Sequence, residues 1–330
     1  MRQKEDPMFS HLLVPLDQSP VATRAIPFAL TLAHALNARV TLLSVVEPVA
    51  VPYEGNGLLG TRAAAIHQAE EQALARATQH LDSVADTFTA HSVGVETTVC
   101  CGNPGAEIIA AAREHEGTLI VMSTHGHAGT GRPWYSGVAR HVIRHADVPT
   151  LLVPGGEERG AVKPTVQQII VTLDGSSLAR EALPVALNLA ETLGKTLMLV
   201  RVIPNMTLTQ GYYYDPTFLQ DQEAEDEHAA IAELAEVAAS LQPTTCAIAT
   251  AIVYAGTSTV EQRIGHFVEA QPGSLLVIAS HGRGGVLRWA LGSTAEGVLE
   301  RATFPMLVVR AGTLQAIATP AGSRAVQVSP

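Results

Sequence analysis

"LLVPLDQSPVATRAIPFALTLAHAL" (Leu12–Leu36) and "IIVTLDGSSLAREALPVALNLAETL" (Ile169–Leu193) are two versions of one text, 157 residues apart. Each opens with a short apolar run, reaches an aspartate (Asp17, Asp174) and passes into a stretch with apolar residues at helical spacing. Pro27 and Pro184 fall at the same place. Further on, "VMSTHGHAGTGRPWYSGVARHVIRHADVPTLLV" (Val121–Val153) matches "VIASHGRGGVLRWALGSTAEGVLERATFPMLVV" (Val277–Val309) at an offset of 156. Gly126 then pairs with Gly282 and Pro149 with Pro305. A near-constant offset over this length means a duplicated domain, because a solenoid repeats at a far shorter period. The expected organisation is a first domain over 8–155, a linker rich in Gly, Pro and charge over 156–165, a second domain over 166–311, and a flexible tail over 312–330.

Inside each copy, short β-branched runs alternate with amphipathic stretches. In the second copy the strands read 168–173, 197–203, 246–253, 275–279 and 306–309; the helices read 178–193, 221–241, 260–270 and 294–301. Ser176 or Ser177 is the expected cap of the first helix and Gly194 its end. Alternation with right-handed crossovers predicts an α/β fold: two tandem, doubly wound, five-stranded parallel sheets. Pro27 and Pro184 lie inside the predicted first helices, where each would cost a backbone bond and kink the helix. The apolar last strands, Thr150–Val153 and Met306–Val309, end their sheets. An exposed apolar edge invites pairing, so the two domains are expected to pack through these strands as an internal pseudo-dimer.

Composition narrows the function classes. Hydrophobic residues make up 47% of the 330 and aromatics only 4%, so Ala, Val, Leu and Ile build the core, which suits α/β layers. A formal charge of −10 argues against a general nucleic-acid binder. Three cysteines, two of them adjacent at Cys100-Cys101, give neither a disulfide framework nor a zinc set, and point to a reducing, cytoplasmic setting. Apolar runs of six to eight residues are too short to span a membrane, and the first residues have no signal-peptide core.

The chemistry gathers in "ASHGRGGVLRWALGSTAEGVLER" (Ala279–Arg301). An apolar strand runs into this glycine loop, and a predicted helix opens at Gly292-Ser293-Thr294. A helix start carries free N–H donors and a partial positive charge, which suits phosphate. Gly282 and Gly292 would let backbone amides close on phosphate oxygens, Ser293 adds a hydroxyl, and Arg283 and Arg288 add charge. Ligands of open parallel sheets sit past the strands' carboxyl ends where the order reverses. If the first and fourth strands are neighbours there, Asp174 faces the loop and can take ribose hydroxyls. A structural turn is the competing reading of the same glycines. The pattern lacks the G-K-[ST] of phosphoryl-transfer P-loops, and it follows the fourth strand rather than the first, unlike a dinucleotide fingerprint.

With the repeat, the "VTLDGS" start, the loop spacing Ala279-x2-Gly282-x9-Gly292-Ser293 and the "FPMLVV" last strand, the chain resembles the universal stress protein family in its tandem form. Only the first loop position departs from the family's G-x2-G-x9-G-[ST], with Ala for Gly. The resemblance implies a Rossmann-like fold of the adenine nucleotide alpha hydrolase type, strand order 3-2-1-4-5, binding ATP, ADP or AMP with or without magnesium. It assigns the second site to Asp174, Val202, Ala279, Gly282, Arg283, Gly292, Ser293 and Thr294. In the first copy the same positions are Asp17, Val45, Ser123, Gly126, Ser136, Gly137 and Val138. There Ser123 replaces the first Gly, the closing pair reads Ser-Gly, and Pro133-Trp134 stiffens the loop, so weaker binding is expected. The implied role is a cytoplasmic stress-response module, an internal pseudo-dimer that can also form a homodimer. A slow ATPase and an interaction scaffold whose first domain has lost nucleotide are the alternatives. No catalytic residue can be named, since no activated base or transition-state partner stands out.

Other features read as structure. His125, His127 and His281 lack a third ligand for zinc. The acidic run Asp221–Glu236 reads as a solvated helix face and "GYYYDP" (Gly211–Pro216) as loop surface; Cys100-Cys101 reads as packing at the end of the third strand.

Overall fold

The structure is a computed structural model and describes residues 8–48, 59–124, 137–155, 164–204, 216–280 and 292–310. The first copy runs β1 (His11–Pro15), a 3-10 turn (Ala22–Arg24), α1 (Ala25–Leu36), β2 (Arg39–Val46), α2 (Leu59–Ala90), β3 (Val95–Cys101), α3 (Pro104–Ala112), β4 (Thr118–Ser123), α4 (Gly137–His145) and β5 (Thr150–Val153). The second runs β6 (Gln168–Leu173), α5 (Ser177–Arg180), α6 (Leu183–Leu193), β7 (Thr196–Ile203), α7 (Pro216–Ser240), β8 (Ile248–Tyr254), α8 (Val260–Glu269), β9 (Ser274–Ser280), α9 (Ser293–Leu299) and β10 (Met306–Arg310).

All ten strands form one sheet, in the order β3-β2-β1-β4-β5-β10-β9-β6-β7-β8. Each half has the order 3-2-1-4-5 with parallel pairs, and the halves meet where β5 and β10 pair antiparallel, Leu151 opposite Leu307. The expected pairing of the last strands is present, and it turns two sheets into one. The inner strands are buried on both faces, β4 at every residue, as parallel sheets covered by helices require. Each face carries a core that continues through both halves. Phe28, Leu32, Leu81 and Phe88 share one with Val185, Leu189, Leu234 and Val237; Ile108, Val142 and Ile143 share the other with Ile264, Val298 and Leu299.

Local chemistry sets the element ends. Ser176 caps α5, its Oγ accepting from the Ala179 amide at 3.1 Å, and Gly194 closes α6 in the left-handed conformation (φ 62°), as Asn37 closes α1 (φ 52°). Asn103 caps α3 ahead of Pro104, and Thr259 with Gln262 forms a capping box on α8. The predicted proline kink takes another form. The helix expected over 178–193 is two pieces, and Pro184 sits in the first turn of the second, where its missing N–H costs no helical bond. Pro27 occupies the first turn of α1 in the same way, after the 3-10 turn.

The acidic run lies on α7, as expected, with one exception. Glu233 turns inward and pairs with Arg201 and Arg180. Cys100 packs half-buried beside the second core, its thiol pushed up by burial and then by Glu107, which suits packing rather than nucleophilic work. No helix among the described residues is long and apolar enough to cross a membrane, and no group of three metal ligands occurs among them.

Candidate functional site

The sheet order places the site. β1 pairs with β4 and β6 with β9, so in each half the first and fourth strands are neighbours and the crossovers diverge between them. This is the crevice where open α/β sheets take ligands. Asp17 and Asp174 stand at its rim, one residue or two past the ends of β1 and β6.

Both aspartates sit in the same turn. The Ser176 amide and hydroxyl donate to Asp174 Oδ1 at 2.9 and 2.5 Å; Ser19 donates to Asp17 Oδ1 at 3.1 and 2.6 Å. Each serine Oγ then accepts from the amide three residues on, at 3.1 Å in both copies. The middle residue is left-handed in both, Gln18 at φ 66° and Gly175 at φ 85°. Each turn thus fixes its carboxylate with two donors to one oxygen. At Asp174 both serine bonds end on Oδ1, which keeps Oδ2 as an acceptor for a ligand hydroxyl. Burial pushes the Asp174 carboxyl up, but the Ser176 bonds and the Arg201 guanidinium outweigh it and hold the group below the usual carboxylate range.

The second strands contribute backbone. Leu43 accepts from the Leu16 amide on the β1 side, while Val46 accepts from Gly102 on the β3 side. Alternation then turns the N–H and C=O of Val45 toward β1, past the level where β1 has ended. Val202 repeats this: Ile203 accepts from Ala255 on the β8 side, and the β6 register stops at Leu173 opposite Arg201. A donor and an acceptor side by side at a strand end fit the edge of a planar heterocycle such as adenine.

Of the other site residues read from sequence, Ser123 ends β4, and Gly137 and Val138 open α4. Ala279 lies in β9, Gly292 precedes α9, and Ser293 and Thr294 begin it. Gly292 has φ −25°, so no positive φ demands glycine there; the case for it is close approach to a ligand. Gly126, Ser136, Gly282 and Arg283 lie outside the described residues, as do His125, His127, His281 and Arg288. Two nearby side chains escaped the sequence reading. Ser280 is buried beside the loop, and its Oγ has no hydrogen-bond partner among the described residues; its counterpart Thr124 accepts from the Gly155 amide at 3.2 Å. Arg201, a lone cation in an apolar strand text, lies against the Asp174 turn.

A sequence profile described as the Universal stress protein family matches residues 8–154 and 165–310. The chain belongs to the universal stress protein family. A universal stress protein of Mycolicibacterium smegmatis is 26% identical over 306 residues, spanning 91% of this chain and 96% of that protein. A universal stress protein of Mycobacterium tuberculosis is 27% identical over 198 residues, 59% of this chain and 63% of its own length. The crystal structure of a universal stress protein from Archaeoglobus fulgidus superposes with a TM-score of 0.63 at 19% identity, covering 92% of this chain and 99% of that one. The crystal structure of a putative universal stress protein from Pseudomonas aeruginosa gives 0.59 at 17% identity, covering 92% of this chain and 93% of that one. These two similarities bear on the fold. The tandem universal stress protein architecture thus extends over nearly the whole chain.

Proposed function

We propose that this universal stress protein binds an adenine nucleotide, ATP foremost, in the crevice of each half, and acts as a cytoplasmic stress-response module whose occupancy biases its partners. The observation that carries the reading is the duplicated Asp-turn at both switch points, each set beside a strand end with a backbone donor and acceptor facing it. The carboxylate of Asp174 suits the ribose hydroxyls and Val202 the base. Ser293, Thr294 and the glycine loop suit the phosphates, and Asp17, Val45, Gly137 and Val138 serve the first half. Magnesium, if bound, would supply charge neutralisation at the phosphates.

Nucleotide analysis of the purified chain and calorimetry with ATP test this. Intact ATP in the protein, or saturable binding weakened tenfold or more by Asp174→Ala, is the expected result; a lost charged hydrogen bond is worth about 1.5–3 kcal/mol. Recovery of ADP alone would favour slow hydrolysis in the same pocket. No binding in the parent chain, or unchanged affinity in Asp174→Ala and Gly292→Val alike, would show that the ligand is not held here.

A further inference from the structure

Arg201 occupies a place that nothing in the family pattern above explains. β7 carries apolar residues on either side of it, and the side chain leaves the sheet on the face covered by α6 and α7. Its Nη1 lies 3.6 Å from Glu233 Oε2; Glu233 Oε1 lies 3.7 Å from Arg180, which also reaches Glu236 at 3.3 Å. Both side chains are largely buried, Arg201 24% and Glu233 14% exposed, so this is an enclosed ion pair rather than a surface one, although Nη1 makes no hydrogen bond among the described residues. The guanidinium end lies beside Gly175, the middle residue of the Asp174–Gly175–Ser176 turn. A Cβ on Gly175 would stand 3.3 Å from Nη1 and 3.6 Å from Nη2.

The first half supplies the comparison. Opposite the turn, Ser44 stands where Arg201 stands, and the middle residue of the turn is Gln18 instead of Gly175. Both middle residues are left-handed, so backbone conformation alone does not demand glycine in the second half. The small strand residue goes with the large turn residue, and the large strand residue with glycine. The exchange clears room for a cation beneath one aspartate only.

We propose that Arg201 is a positioning residue of the second site, bracing the Asp174 turn so that its carboxylate is held as a diol acceptor, and that it thereby sets this site's preference for ribonucleotides over 2′-deoxyribonucleotides. This rests on the nucleotide reading above for the ligand, though not for the brace. Among the described residues, the charged group acting on Asp174 is Arg201 from β7, which is linked through Glu233 of α7 to Arg180 of α5 and on to Glu236. These four charges sum to zero, and the carboxylate is held below its usual range, against the burial that raises it, by the Ser176 bonds first and the nearby Arg201 next.

The test uses the full chain with the first site silenced by Asp17→Ala. Dissociation constants for ATP and 2′-deoxy-ATP are compared in this background, in Arg201→Gln and in Arg201→Lys. Expected is an ATP loss of about tenfold in Arg201→Gln with 2′-deoxy-ATP little changed, and recovery of most of the preference in Arg201→Lys. The ligand-free protein gives a second readout: the Asp174 carboxyl, followed by carbon NMR, titrates at higher pH in Arg201→Gln than in the parent. If Arg201→Gln does not fold, Arg201→Gln with Glu233→Gln removes the cation without stranding its partner and is read in the same way. An unchanged nucleotide preference together with an unchanged carboxyl titration overturns the proposal. A parent that binds neither nucleotide overturns the nucleotide reading and the selectivity with it, while the carboxyl titration still decides the brace.

Discussion

His11 shows how one residue separates two otherwise matched halves. It is buried at the start of β1, Nδ1 3.1 Å from Thr118 Oγ1 and Nε2 2.9 Å from Thr41 Oγ1, with the His115 ring 4.2 Å away. Thr118 gives its own hydroxyl hydrogen to the His115 carbonyl, so Nδ1 donates and Nε2 accepts from Thr41. Burial first, then His115, lowers the His11 pKa to about 4. The unfolded chain therefore takes up a proton that the folded one refuses between pH 6.5 and about 4. Stability falls as pH drops through that window, by up to about 3 kcal/mol at 1.36 kcal/mol per unit, and the loss levels off below it. In the second half Gln168, Gln271 and Ser274 take these three places and bond to one another without titrating. His11→Gln with His115→Gln should accordingly flatten the fall in denaturant midpoint between pH 7 and pH 4; an unaltered pH slope would assign the acid sensitivity elsewhere.

Among the elements, the joined edge strands β5 and β10 bear most on architecture. Leu151 and Leu307 face each other across the antiparallel pair and are almost fully buried. Either one changed to Ala should cost about 2–5 kcal/mol. Because they touch, a double-mutant cycle on urea unfolding should show coupling of about 0.5–3 kcal/mol, whereas strict additivity would mean the edges are not packed together in solution. Helix caps act on a smaller scale. Asn103→Ala removes the 3.1 Å bond to the Ala106 amide and should cost about 1 kcal/mol. The cap residues Ser176 and Gly194 could be read from sequence because capping needs only the local side chain and φ. The proline break could not be read so well, because where a helix restarts depends on what the second piece packs against.

For the whole molecule, antiparallel joining sends the carboxyl ends of the two halves to opposite poles, so the two candidate sites do not share a mouth. The joint is reinforced off the sheet by Arg144 with Glu296 at 3.2 Å and by Arg310, which donates to the Ala146 carbonyl at 3.1 Å. A half expressed alone would bare an apolar edge strand. Residues 165–310 by themselves should self-associate through β10, and a monodisperse monomer in sedimentation velocity would contradict that. The nucleotide asymmetry belongs to this scale as well. With Asp17→Ala leaving only the second site and Asp174→Ala only the first, ATP should bind the former about tenfold or more tightly, given its Gly292-Ser293 pair. Equal or reversed affinities would mean that the Ser136-Gly137 order is no handicap.

The sequence by itself determined the duplication, the α/β class, most element positions and the two aspartates, because repeats, hydrophobic periodicity and turn chemistry are local along the chain. Asp17 and Asp174 were legible since each ends an apolar run and precedes a serine that bonds back to it. Arg201, Glu233 and Ser280 were not: each is an ordinary polar letter until the fold sets it beside a turn, a cation or a loop. Only the tertiary structure decided that two five-stranded sheets become one sheet of ten with continuous cores, and that a guanidinium lies under one aspartate and not the other. Burial and pairing across more than a hundred residues depend on which surfaces meet, and no local pattern carries that information.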